Sequence, residues 1–432
     1  MKIVVIKLAM FEGIGHDAMK PLLFPILSKL TPKEYEIEFW DERVEKLPEH
    51  LDADVIAFSV ETFAAKRAYN LSKKYKTEKN IIVMGGFHPS ILPEECLNYC
   101  DSVIVGDAED TWPDFLLDHE NLCIKKIYRS NYDKPLSKID MDNGCFKNKK
   151  YLPLATLQFS RGCKYNCSFC SVKTMYKNIR QKSIEDIVEE LKVTEERLLF
   201  FLDDNLVADE EHAMEFLKAI KPLKKKWACQ ISIDVANNDK LLKAMKESGC
   251  ALVIIGFESL DPDNLKQMKK SANIRQKDYE KAINNIYKHK LLIYATFVFG
   301  YDFDDEKTID DVIHFALRHN FTVANFGLLT PMPGTGIYED MEREGRLIYK
   351  KWWIDDNYRY GDTMFVPKKL STEKFVTACE RVRLSFYSIP NILKRLFKNP
   401  LHFKSVHNLF IYLTTNIVAR REIKRKNGRI LG

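Results

Sequence analysis

Short apolar runs alternate with helical patterns twice along this chain, first to about residue 122 and again from about 151 to 338. Strands separated by helices pair most readily in parallel, with the helices packed on the sheet faces. In the first run Lys2–Ala9, Glu36–Asp41, Asp54–Val60, Asn80–Met84 and Ser102–Gly106 read as strands. Helical spacing falls near Asp17–Leu30, Thr62–Lys76 and Pro93–Tyr99. The expected fold class is therefore α/β, with an N-terminal doubly wound parallel sheet. Ligands of such sheets bind beyond the carboxyl ends of the strands. Three of those ends are rich in small or polar residues: Ser59-Val-Glu-Thr62, Gly85-Gly-Phe-His-Pro-Ser90 and Gly106-Asp-Ala-Glu109.

The second run opens on an apolar strand followed by Arg161-Gly-Cys-Lys-Tyr-Asn-Cys-Ser-Phe-Cys170. Three thiolates spaced C-x₃-C-x₂-C can hold three irons of a four-iron cluster and leave the fourth open for chemistry. Cysteines at this spacing also line one face of a helix, but Gly162 and Asn166 favour turns. Structural zinc wants a fourth ligand in a paired spacing, and no second pair follows nearby. A disulfide framework fits poorly, because the chain is long, its other cysteines are scattered and no signal peptide is apparent.

The size allows two or three domains with sizeable cores. A net charge of +6 is mild and gives no reason to expect a nucleic-acid partner. No stretch is long and apolar enough to span a bilayer, so a cytoplasmic location is expected, which suits reduced thiols. Four segments follow: 1–122, a polar linker 123–150 broken by Pro135 and Gly144, 151–338, and a helical extension 339–432.

At the cysteine run the chain resembles the radical S-adenosylmethionine (SAM) superfamily. The resemblance implies a partial (β/α) barrel with a [4Fe–4S] cluster on Cys163, Cys167 and Cys170. The open iron would chelate SAM, and an electron would cleave it to a 5′-deoxyadenosyl radical. Phe169 takes the aromatic position before the last cysteine. The strands ending Leu199–Asn205, Gln230–Asp234, Val253–Ser259 and Thr296–Tyr301 imply a SAM site at their carboxyl ends, made by Asp203, Asp204, Asn205, Ser232 and Glu258. Asp204 and Asn205 are also good helix caps. Pro331-Met-Pro-Gly-Thr-Gly336 resembles the turn that closes such barrels.

The first segment resembles the cobalamin-binding domain often fused in front of these barrels, which implies cobalamin contacts from Ser59, Thr62, Gly85, Gly86, His88, Gly106 and Glu109. The D-x-H-x-x-G motif that supplies a cobalt ligand elsewhere is absent, and Asp107 stands where the family commonly has glutamate. A sheet that has lost its cofactor and only packs on its neighbour is the plainer alternative. Taken whole, the resemblance is to cobalamin-binding radical SAM enzymes that tailor lipids and other natural products. It implies methyl transfer to an unactivated carbon of a lipid or other small molecule, with an external electron donor such as a flavodoxin or ferredoxin. Radical cyclisation, coupling or rearrangement, with or without cobalamin, is the alternative within the class, and a non-catalytic sensor the alternative outside it.

Beyond Ile389 lie Lys394, Arg395, Lys398, Lys404, Arg420, Arg421, Lys424, Arg425, Lys426 and Arg429 against one acid, Glu422. Such a basic tail suits peripheral contact with the inner membrane face. It equally suits a helix packed by one face on the barrel with a frayed end.

Overall fold

The computed structural model describes residues 1–432 apart from His16, Asp133, 141–143 and Lys277, and apart from the Lys424 side chain. Valine- and isoleucine-rich runs form β1 (Lys2–Lys7), β2 (Glu36–Asp41), β3 (Val55–Ser59), β4 (Ile81–Gly85) and β5 (Ser102–Val105). A sixth strand, β6 (Ile127–Arg129), comes from the stretch expected to be a linker. All pair in parallel, in the order β2-β1-β3-β4-β5-β6. The doubly wound expectation holds, and β6 lengthens it by one edge strand. Residues 133 and 141–143 of that stretch lie outside the described residues.

The second sheet contains β7 (Ala155–Leu157), β10 (Leu198–Phe201), β11 (Lys226–Ile231), β12 (Cys250–Glu258), β13 (Leu292–Phe299) and β14 (Val323–Leu328), in that spatial order and all parallel. Two short strands, β8 (Ser160–Arg161) and β9 (Arg180–Gln181), pair antiparallel beside it. Most of the crossover helices begin at a side-chain cap: Ser183, Asp209, Asn238, Asp278 and Asp305 each accept from a backbone N–H of the first turn. Each such cap contributes about 1 kcal/mol and fixes where a strand's following loop must end.

One face of the first sheet is covered only in part by its own helix Ala65–Tyr75. Val4, Ile6, Phe58 and Met84 share a buried cluster with Trp352, Trp353, Tyr358, Met364 and Leu431. The extension therefore completes the core of the first domain, and Trp352 anchors itself by donating its indole N–H to Pro331 O at 3.0 Å. The last residues are tied down as well: Gly432 N donates to Met10 O, and Lys426 pairs with Asp17 at 2.8 Å. They are not a frayed end.

Arg395, read above as part of a solvated basic tail, is buried. Its guanidinium lies 3.7 Å from the Phe386 ring centre and donates to Phe321 O, Phe386 O and Asn416 Oδ1. Carbonyls at a helix end and strand start replace a carboxylate, so the helices Thr372–Phe386, Ile389–Lys398 and Val406–Lys426 are pinned to the barrel through one side chain. His402 joins this network with Nδ1 3.0 Å from Arg395 O, Nε2 3.1 Å from Thr322 Oγ1, and its ring 4.2 Å from that of Tyr412.

Burial pushes the His402 pKa down to about 4, against an Arg395 carbonyl that opposes the shift. The unfolded chain therefore takes up this proton first as pH falls. The stability that neutral His402 contributes is complete above pH 6.5 and lost between about 6.5 and 4, roughly 3 kcal/mol in all. Urea midpoints measured across that range should fall for the wild type and fall less for His402→Gln.

Candidate functional site

The antiparallel β8–β9 pair closes the base of the loop that carries the three cysteines. Gly162 enters it at φ +98°, and a Cβ there would sit 2.6 Å from Asn178 O, so only glycine starts this loop. Its far side is held to the barrel mouth: Ser168 N donates to Met268 O, and Ile337 N donates to Ser168 O. The Pro331–Gly336 turn thus fixes the loop's position. Cys167 is buried, while Cys163 and Cys170 are partly exposed. Burial raises the thiol pKa of Cys167 and of Cys170, the latter to about 11, and the Lys270 charge opposes both shifts. Among the described residues no three His, Cys, Asp or Glu side chains converge on one point. A cubane asks for something else, since each thiolate binds a different iron. Three thiols along one tight loop, one of them buried and two partly exposed, suit that geometry.

Two of the expected SAM- or substrate-facing residues instead build the loop's base. Asp203 is buried and accepts from Phe159 N (3.1 Å), Ser160 N (2.5 Å) and Ser160 Oγ (2.6 Å). These three bonds tie it to the strand that leads into the cysteines. Burial still outweighs those donors and lifts its pKa to about 6. Asp204 accepts from Gly162 N at 2.9 Å, one residue from Cys163.

Asn205, Ser232 and Glu258 stand where expected, at the ends of β10, β11 and β12. Asn205 Nδ2 donates to Ser232 Oγ at 3.3 Å, while its buried Oδ1 has no partner in the protein. A buried carbonyl oxygen without a donor costs about 1–3 kcal/mol, which a ligand amine would recover. Glu258 is held at φ +61°, a conformation that costs a non-glycine residue about 1–2 kcal/mol. The strand register slips between Gly256 and Glu258, and the carboxylate folds back over Gly256, where a Cβ would lie 2.1 Å from Oε1. There it meets Lys270 Nζ at 2.8 Å. Lys270 also lies 5.7 Å from the Phe169 ring centre. Sequence reasoning missed this lysine, because it sits in a loop between two short helices with no motif around it. Phe169 and Cys170 open onto a cavity of 670 Å³ between β13, β14 and the extension.

On the other side of the cysteine loop, a cavity of 460 Å³ lies at the carboxyl end of the first sheet. Ser59, Gly85, Gly86, Gly106 and Glu109 line it, as expected. Gly86 at φ +111° and Gly106 at φ +88° have no room for a side chain: a Cβ would approach Val60 O to 2.8 Å in one case and Tyr132 Oη to 2.6 Å in the other. Packing beneath them thus requires glycine at both places, and their backbone forms part of the cavity wall.

Thr62 and His88 do not line the cavity. Thr62 is buried at the first turn of the following helix. His88 is fully buried, 2.9 Å from Tyr69 Oη and 3.4 Å from Glu95, with Trp353 against its ring. A ring so enclosed packs the extension onto the first sheet and offers no ligand to a metal in the cavity.

Arg161 was not expected. It leaves the cysteine loop and forms ion pairs with Asp107 (3.1 Å) and Glu109 (2.8 Å), while Arg180 adds a second cation on Asp107. Burial works against the guanidinium's charge, but Glu109 and Asp107 more than restore it and raise its pKa. Aspartate in place of the family's glutamate thus keeps a carboxylate in the cradle. Neither half of this contact announces a partner in sequence, since the two lie in different segments.

Residues 157–316 match the Radical SAM superfamily and residues 30–116 the B12 binding domain. The chain is 33% identical over 397 residues to the bacteriochlorophyllide d C-12(1)-methyltransferase of Chlorobaculum tepidum, spanning 89% of this chain and 86% of that one. It is 26% identical to the C-8(2)-methyltransferase of the same organism, over 76% of this chain and 77% of that one. Among solved structures, the radical SAM methyltransferase TsrM from Kitasatospora setae, with cobalamin and a [4Fe–4S] cluster bound, superposes with a TM-score of 0.65 at 15% identity, over 79% of this chain and 78% of that one. The chain belongs to the cobalamin-dependent radical SAM methyltransferases, and its cofactors are a [4Fe–4S] cluster, SAM and cobalamin.

Proposed function

We propose that this enzyme methylates an unactivated carbon of a large, mostly apolar, ring-bearing molecule of the bacteriochlorophyllide class. The observation that carries the reading is the 670 Å³ cavity that starts at Phe169 and Cys170 and runs between Tyr294, Phe326, Tyr358, Tyr360 and Tyr387. Aromatic walls of this extent suit a broad apolar ligand with few polar anchors. Arg383 supplies one such anchor: its Nε donates to Phe326 O at 2.7 Å, which holds the guanidinium at the cavity wall for an anionic substituent. The two relatives named for bacteriochlorophyllide d support the class.

When bound, the cluster and SAM supply a hydrogen-abstracting radical, and cobalamin supplies the methyl group. In this reading Cys163, Cys167 and Cys170 hold the cluster. Asn205 and Ser232 receive the amino group of SAM, and Glu258 and Lys270 bind its ribose and carboxylate. Ser59, Gly85, Gly86, Gly106 and Glu109 cradle cobalamin. Arg161 positions the cysteine loop against that cradle. His88 would supply no ligand to the cobalt, because its ring is enclosed by Tyr69, Glu95 and Trp353 away from the cavity. Reducing equivalents come from an external flavodoxin or ferredoxin.

Anaerobically reconstituted protein given hydroxocobalamin and then desalted should retain it near stoichiometrically, with a cob(II)alamin resonance free of nitrogen coupling. Loss of all cobalamin with the cluster intact would overturn the cradle and the methyl-transfer reading together. Alanine at Cys163, Cys167 or Cys170 should abolish both the cluster absorbance and SAM cleavage. Arg161→Ala should cost about 3 kcal/mol of stability, since it strands Glu109 and leaves Asp107 with Arg180 alone. Arg383→Leu should raise the substrate KM at least about tenfold while leaving substrate-free SAM cleavage unchanged. An unchanged KM would remove the anchor.

A further inference from the structure

From Arg381 to Arg421 the chain contains no Asp or Glu. Within this acid-free stretch two helices leave one apolar stripe each uncovered. On the helix Ile389–Lys398 the stripe is Ile389, Leu393 and Phe397, spaced four apart; on Val406–Lys426 it is Val406, Phe410, Leu413 and Ile417. Phe397 is 72% exposed and Val406 84%, values unusual for such side chains on a folded surface. The stripes belong to one surface, because a groove of 350 Å³ between the helices is walled by Ile389, Leu393 and Ile417 on the apolar side and by Arg420 and Arg421 at its rim. Phe403 continues it in the connecting turn. Around it stand the exposed cations Lys394, Lys398, Lys404 and Arg421. Among the described residues none of these four has a carboxylate within ion-pair distance.

We propose that this surface docks on an anionic lipid bilayer, with Leu393, Phe397, Val406 and Phe410 entering the headgroup boundary. The choice of occupant rests on charge. An apolar patch ringed by unpaired cations and cleared of acids complements a negative, apolar-cored surface. A protein partner would need a matching acidic rim. No helix among the described residues is long and apolar enough to cross a membrane, so the contact is peripheral. The docking element is the first part of the basic stretch that the sequence suggested. The basic end beyond Arg421 is committed to the protein, through Lys426 on Asp17, Arg425 on Glu422 and the buried Leu431. The helix Val406–Lys426 also gives Ala419, Glu422 and Ile423 to the substrate cavity, so the docked surface and the cavity share one rigid element. An apolar substrate dissolved in the bilayer would thus meet the enzyme beside its own site.

The test uses the full holoenzyme in flotation with phosphatidylglycerol–phosphatidylcholine vesicles and with pure phosphatidylcholine. Binding is expected to the anionic vesicles and to weaken with salt. The double variant Leu393→Glu, Phe397→Glu should lose it at least about tenfold, and Lys394→Glu, Lys398→Glu about tenfold, with thermal stability and SAM cleavage unchanged. All four positions are exposed, so these variants should fold. No binding, or binding indifferent to both variants, would overturn the proposal. So would a dimer in analytical ultracentrifugation that the Leu393→Glu, Phe397→Glu variant dissolves, which would assign the surface to a second copy of the chain.

Discussion

One buried guanidinium sets the distance between the two cofactor sites. Arg161 begins the cysteine loop, yet its charge is balanced by Asp107 and Glu109 at the carboxyl end of the first sheet. A cation this enclosed cannot relax away from its partners without leaving itself and Glu109 unpaired in the interior. The loop, the glycine floor of the first cavity and the barrel mouth therefore move as one piece. For a reaction that joins two cofactors across a gap, such rigidity converts an encounter into a fixed geometry.

Carboxylates in this protein divide by what they face. Asp203 and Asp204 spend their oxygens on backbone N–H groups around Ser160 and Gly162, and so shape the loop. Glu258 keeps a single protein partner, Lys270, and holds a left-handed backbone to do so. Backbone strain at Glu258 and an unpartnered buried Oδ1 at Asn205 thus stand at neighbouring strand ends of the same barrel mouth.

Much of this was legible in the residues. Strands rich in Val and Ile, alternating with helical spacing, dictate both parallel sheets, and Cys163, Cys167 and Cys170 carry their chemistry in their spacing. Gly86 and Gly106 could be read because a strand end without side chains has few other uses. Asp203 could not, because adjacent residues leaving a strand point apart, and which one meets the ligand depends on where β8 passes. Arg395 looked like one more surface cation. Only the convergence of Phe321, Phe386 and Asn416, distant in sequence, turns it into a core residue. His88 stands in the short helix Phe87–Ile91, whose first residue reaches the cavity, and the extension's Trp353 closes over it.

The shared core of the first sheet and the extension has a consequence for biosynthesis. Val4, Ile6 and Phe58 leave the ribosome early, but Trp352 and Trp353, which cover them, follow more than two hundred residues later. At cellular rates of chain growth the nascent sheet waits with that apolar face only partly covered for roughly ten to fifty seconds. During that interval it is a client for chaperones, and the cobalamin cradle lacks Arg161 until the start of the barrel has been made.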